Sequence, residues 1–136
     1  MPRGKYMVIL LVIMLMHSCK KPWYESYELI LGEWKIIATS KEGSNDWFLY
    51  PTSSKNTLRF ESDYTYSTAS HDVTYCNGKY EFINKTSIKI MPEGCFPIDI
   101  ESLETIYKLT KDTLIITDHQ IGYLSYTPVN KYIRLY

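Results

Sequence analysis

Gly32-Glu33-Trp34-Lys35-Ile36-Ile37-Ala38-Thr39-Ser40 alternates in polarity, with Trp34, Ile36 and Ala38 on one face and Glu33, Lys35 and Thr39 on the other. A period of two marks a half-buried β-strand, because successive side chains on an extended backbone point to opposite faces. Ile37 alone breaks the polar face. Just upstream, Tyr27 to Leu31 predicts a helical turn that delivers the chain to this strand, and Lys20 to Ser26 reads as a short tether.

Downstream the same period recurs. Thr57 to Glu61 and Tyr64 to Thr68 flank Ser62-Asp63, and Gly78 to Ile83 and Thr86 to Met91 flank Asn84-Lys85. Leu103 to Leu109 and Thr113 to Thr117 flank Thr110-Lys111-Asp112. Short connections rich in Asp, Asn and Ser are hairpin chemistry. Lys131 to Tyr136 supplies a last strand. The expectation is an all-β fold: eight antiparallel strands in an up-and-down barrel, preceded by a short N-terminal helical turn. Closure would remove exposed edges, and eight strands enclose either a filled interior or one small ligand. An open two-sheet sandwich is the alternative.

The chain opens with Arg3 and Lys5, then the apolar run Tyr6 to Met16, then His17-Ser18-Cys19-Lys20-Lys21. A basic start, an apolar core and a small residue before the cut make a secretory signal. The run's eleven residues fall short of the roughly 20 that cross a bilayer as a helix. The segment resembles the leaders of bacterial lipoproteins, although Met16 and His17 depart from the leucine and small residue usual there. That resemblance implies cleavage before Cys19, lipidation of its sulfur and a membrane tether through the acyl chains. Lys20, which is not aspartate, then implies the outer membrane, and the lack of an acidic tract after Cys19 implies its periplasmic face. The expected organisation is residues 1–18 as signal, 19–26 as tether and 27–136 as one domain.

Without the signal, 118 residues carry 13 basic and 15 acidic side chains. This balance excludes the concentrated basic face that nucleic acid requires. Thirteen tyrosines and four phenylalanines against two alanines, Ala38 and Ala69, favour strands. With Cys19 committed to lipid, Cys76 and Cys95 are the pair expected to bridge in an oxidising compartment, stabilising the fold by about 3 kcal/mol. A metal site using Cys76, Cys95 and His71 or His119 is the rival, but neither Cys-x-x-Cys nor His-x-x-x-His spacing is present.

Leu31-Gly32-Glu33-Trp34-Lys35-Ile36 resembles the Gly-x-Trp opening of the lipocalins and of small lipocalin-like bacterial lipoproteins. The resemblance implies that Gly32 bends the chain into the first strand, that Trp34 plugs the closed end of a barrel, and that Arg134 stacks on Trp34. The Thr-Asp-Tyr motif of that family is replaced by Thr110-Lys111-Asp112. Tyr75-Cys76-Asn77 followed by Gly78-Lys79-Tyr80 also resembles the META-type heat-shock lipoproteins, whose motif carries a glycine where Tyr75 stands.

Catalytic constellations are not evident. There is no Gly-x-Ser-x-Gly elbow, His71 and His119 sit in polar loop contexts beside Asp72 and Asp118, and Glu42, Asp46, Glu61 and Asp63 read as solvated turn and face residues. Gly94 and Gly122 are isolated and form no phosphate cradle. The residues offered as possible ligand lining are Tyr64, Tyr66, Tyr80, Phe82 and Tyr107, whose ring faces and hydroxyls suit an apolar, amphipathic or sugar-like ligand. The competing reading is a filled core with tyrosine tips in solvent. Trp47-Phe48-Leu49-Tyr50 reads as a short extra strand or as a rim contact to membrane or partner. Together these readings lead to the expectation of a monomeric, non-enzymatic, membrane-tethered binding protein. It would use no cofactor, metal or nucleic acid, and would take a small hydrophobic ligand. The alternative is a filled barrel that contacts envelope proteins through its loops.

Overall fold

The computed structural model describes residues 23–71, 73–95, 100–119 and 125–136; the expected signal segment and Cys19 lie outside them. One helix, α1 (Tyr24–Ile30), precedes nine strands: β1 (Gly32–Lys41), β2 (Phe48–Leu49), β3 (Thr57–Phe60), β4 (Thr65–Ser70), β5 (Val73–Asn84), β6 (Ser87–Glu93), β7 (Ser102–Leu109), β8 (Thr113–Thr117) and β9 (Pro128–Arg134). Every neighbouring pair is antiparallel, and β1 pairs with β9 from Trp34↔Arg134 to Lys41↔Pro128, which closes eight strands into an up-and-down barrel. The ninth strand, β2, is only two residues long and falls within Trp47-Phe48-Leu49-Tyr50, for which a short extra strand is one of the two readings.

The hairpins form where turn chemistry places them. Asp63 Oδ1 accepts from the Thr65 amide at 3.1 Å and its hydroxyl at 2.6 Å, holding Tyr64 in the left-handed region at φ 65. Asn84 Oδ1 accepts from the Thr86 amide at 2.9 Å in the next turn. Short polar side chains stabilise such turns by standing in for a backbone carbonyl. The boundaries that differ most from expectation are those of α1, β5 and β9; β9 starts at Pro128, three residues before the expected Lys131, and ends at Arg134 rather than Tyr136. The helix begins at Tyr24, so part of the expected tether is helical, and Trp23 and Tyr27 pack on the core. β5 begins at Val73, five residues early, which carries Tyr75, Cys76 and Asn77 into the sheet.

β1 is longer than its neighbours on one edge, and this shapes the molecule. Its first half pairs with β3 from Gly32↔Phe60 to Lys35↔Thr57, whereas Ala38 and Thr39 pair with Leu49 and Phe48. The wall between β1 and β3 is therefore spanned near one end only by the two residues of β2. Ile37, the residue that broke the alternation, lies at a register shift between Ile36 and Ala38, where its carbonyl accepts from the Tyr50 amide at 2.9 Å.

Candidate functional site at the open end of the barrel

The two halves of the interior are filled differently. The largest fully buried side chains, Trp34, Tyr80, Phe60, Ile30, Ile88 and Leu114, occupy the half capped by α1. There Gly32 turns the chain at φ +113, a conformation that disfavours any side chain, and a Cβ would approach Arg134 Nη1 at 3.0 Å. The Trp34 indole N–H donates to the Ile30 carbonyl at 2.7 Å, and the Arg134 guanidinium lies 4.2 Å from the Trp34 ring centroid. Arg134 also donates to the carbonyls of Leu29, Leu31 and Lys111. One cation thus satisfies carbonyls that the end of α1 leaves without helical partners. An aromatic stack completes the plug: Trp23 on Phe82, Phe82 against Tyr80, Tyr80 against Phe60 and Tyr64, and Tyr64 on Tyr27.

The other half holds the buried polar side chains, Ser40, Ser102, Glu104, Thr117 and Asn130. Space remains there. An inner cavity of about 60 Å³ is lined by Leu58, Phe60, Tyr66, Thr68, Ile90, Glu104, Ile116, Thr117, Asp118 and Tyr132. An outer chamber of about 270 Å³ shares Leu58, Thr68, Asp118 and Tyr132 with it. The outer chamber reaches the mouth along the β1–β3 seam, past Tyr50, Asn56 and Thr57, with Tyr75 and Tyr126 at its rim.

Glu104 is the unusual group in this half, only 3% exposed on the inner face of β7. Its Oε2 accepts from the Thr117 hydroxyl at 2.6 Å and lies 2.8 Å from His119 Nδ1, while its Oε1 accepts from the His119 amide at 3.0 Å. Thr117 Oγ1 in turn accepts from the Thr105 amide at 2.8 Å. A buried carboxylate needs such partners to offset the loss of water. His119 stays 41% exposed, spanning the carboxylate and the mouth. Beside it, Asn130 Nδ2 donates to Asp118 Oδ2 at 3.3 Å and to the Tyr132 hydroxyl at 3.4 Å. Burial, and next the Asp118 charge, hold the Tyr132 phenol well above its ordinary value. The same two causes, in the same order, raise Tyr50.

The five tyrosines and phenylalanines offered as lining separate into three places. Tyr66 borders the inner cavity, with its hydroxyl 3.5 Å from Cys76 Sγ. Tyr80 and Phe82 are packed in the plug, and Tyr64 is part of the same stack at the closed end, so none of the three lines the cavity. Tyr107 lies outside the barrel, 54% exposed, its hydroxyl donating to Glu42 at 2.6 Å. The reason is the phase of β7: Ser102, Glu104 and Ile106 face inward, leaving Leu103 and Tyr107 outward. Cys76 and Cys95 form a disulfide. Among the described residues no group of three His, Cys, Asp or Glu side chains is placed to hold a metal ion. Glu104 itself carries no recognisable sequence signal, since an isolated glutamate in a strand reads as a solvent-facing residue. No protein-family model and no curated protein matches the chain.

Proposed function

We propose that the protein is a non-enzymatic, lipocalin-like lipoprotein of the bacterial cell envelope that binds a small amphipathic ligand in the open half of its barrel. The observation that carries this reading is the inner cavity with its buried carboxylate, set beside a second chamber with which it shares Leu58, Thr68, Asp118 and Tyr132. Ligand sites are typically concave, largely apolar and provided with a few fixed polar groups. Leu58, Ile90 and Ile116 supply the apolar wall, and Glu104, Thr117 and Asp118 the polar groups.

The anchor reading rests on the leader ending at Cys19. It also carries a consequence for orientation. Four residue steps from Cys19 to Trp23 span at most about 14 Å, and Trp23 stacks on Phe82 in the plug. Lipid on Cys19 would hold the closed end next to the bilayer and turn the mouth away from it, so that ligand exchanges with the periplasm. A second reading, an envelope protein that docks partners at its rim, is favoured by β2, where Phe48 is 71% and Leu49 80% exposed.

Native mass spectrometry of the protein extracted from its own membrane tests both parts. The expected result is a mass increment from acyl chains that a Cys19→Ala variant lacks, plus a retained small molecule released on unfolding. An unlipidated mass would remove the anchor, and a ligand-free barrel would favour rim docking.

A further inference from the structure

We infer that the ligand of the open half is a small primary amine, its ammonium group seated against Glu104 and the rest of the molecule reaching the tyrosines of the outer chamber, Tyr50, Tyr75 and Tyr126. This rests on the ligand-binding reading above and narrows it to a chemical class. Among the described residues, the lining of the two chambers contains two carboxylates, Glu104 and Asp118, and no lysine or arginine. The internal stretches outside the described residues, 72, 96–99 and 120–124, contribute none either, because their sequences hold no basic residue. An anion entering this space would meet two carboxylates, and the ionisable nitrogen beside them, His119 Nδ1, is already turned to Glu104 Oε2 at 2.8 Å. A wholly apolar ligand would bury Glu104 further from water and give its lone pairs nothing.

A cation finds both partners it needs. Glu104 Oε1 accepts only the His119 amide among the described residues, and a carboxylate oxygen has two lone pairs, so acceptor capacity remains for an ammonium N–H. The rings of Tyr66 and Tyr132 border the inner cavity and those of Tyr50, Tyr75 and Tyr126 the outer one. Aromatic faces attract cations and accept apolar bodies equally well. The dimensions agree: the cavity beside Glu104, near 60 Å³, has room for a small head group, while the chamber of about 270 Å³ admits one ring or a short chain. A metal ion is a poorer occupant, since no third ligand gathers with Glu104 and His119 among the described residues.

The test is calorimetric titration of the full mature protein with hexylamine, 1-hexanol, hexanoate and 2-phenylethylamine, for the wild type, Glu104→Gln and Asp118→Asn. The amines are expected to bind at least about tenfold more tightly than the alcohol, with hexanoate weakest. Glu104→Gln is expected to erase that preference while leaving the alcohol nearly unchanged. Asp118→Asn, nearer solvent, is expected to lower amine affinity about threefold, and it keeps the test decisive if Glu104→Gln fails to fold. Alcohol equal to amine, or hexanoate tightest, overturns the amine inference while ligand binding stands. If no probe binds, accurate mass of the molecule retained in native spectrometry decides: an amine upholds the inference, a molecule without one overturns it, and an empty barrel overturns it together with the binding reading.

Discussion

The closed and open halves of this barrel are made by the same strands yet held by different forces. In the closed half Trp34, Tyr80, Phe60 and Ile88 fill the interior, and Arg134 binds α1 to β9. The open half leaves space between Leu58, Ile90 and Ile116, buries Glu104 and Asn130, and carries the Cys76–Cys95 disulfide. Dense packing gives stability but no room, whereas a cavity sacrifices contacts that must be offset elsewhere. A covalent staple can supply that offset without filling the interior, because it acts chiefly by restricting the unfolded chain.

The sharpest way to break this contrast is truncation on either side of it. Trp34→Ala is expected to cost about 3 to 5 kcal/mol in urea unfolding, since it empties the centre of the plug and frees the Ile30 carbonyl. Leu58→Ala, at the cavity wall, is expected to cost only about 2 kcal/mol, the low end for such a change, because its side chain already lacks partners on one side. Equal losses would mean that both halves are packed alike.

Next in size is the staple. The double change Cys76→Ser and Cys95→Ser removes a link between residues 19 apart in sequence and is expected to lower stability by about 3 kcal/mol. Hydrogen exchange should then rise first at position 76, Asn77 and the paired end of β6, with the closed half retaining its protection. Uniform loss of protection would show that the barrel opens as one unit and that the open half is not separately held.

The strands were legible from sequence because their alternation and turn residues agree, as at Leu58 and Phe60 followed by Ser62-Asp63. The Gly32-Glu33-Trp34 stretch likewise announced the closed end, because only glycine tolerates the φ at position 32 and a tryptophan in a strand usually marks a core. The site was far less legible. In β7, Ser102-Leu103-Glu104-Thr105-Ile106-Tyr107 offers two interleaved sets, and apolar residues stand in both. Offering Tyr107 as lining follows its aromatic character, yet the register with β6, Ile88↔Glu104 and Ile90↔Ser102, turns the set with Ser102 and Glu104 inward. Only the cross-strand environment decides such a case, with Thr117 and His119 waiting on the next strand and its following loop to satisfy the carboxylate. Tyr80 and Phe82 do face inward, and α1 brings Trp23 and Tyr27 down against that aromatic group.

The smallest effects come from one tyrosine in each half, and they probe whether water enters the open one. Burial raises the phenols of both Tyr80 and Tyr132 above the ordinary value of 10.0. The folded protein therefore favours their neutral forms. Their stabilising contribution is complete below the unfolded value and is lost as pH rises past about 10, at about 1.4 kcal/mol per pH unit for each group. At neutral pH, Tyr80→Phe removes a 2.8 Å bond to the Glu61 carbonyl and is expected to cost about 1 kcal/mol. Tyr132→Phe removes only an acceptor 3.4 Å from Asn130 Nδ2 and is expected to cost less. Above pH 10 each change should flatten the decline of stability measured by urea unfolding. If Tyr80→Phe flattens it and Tyr132→Phe does not, water already reaches the Tyr132 hydroxyl and can solvate its ionised form. The open half would then be a hydrated chamber, and a ligand entering it would have to displace that water rather than fill an empty space.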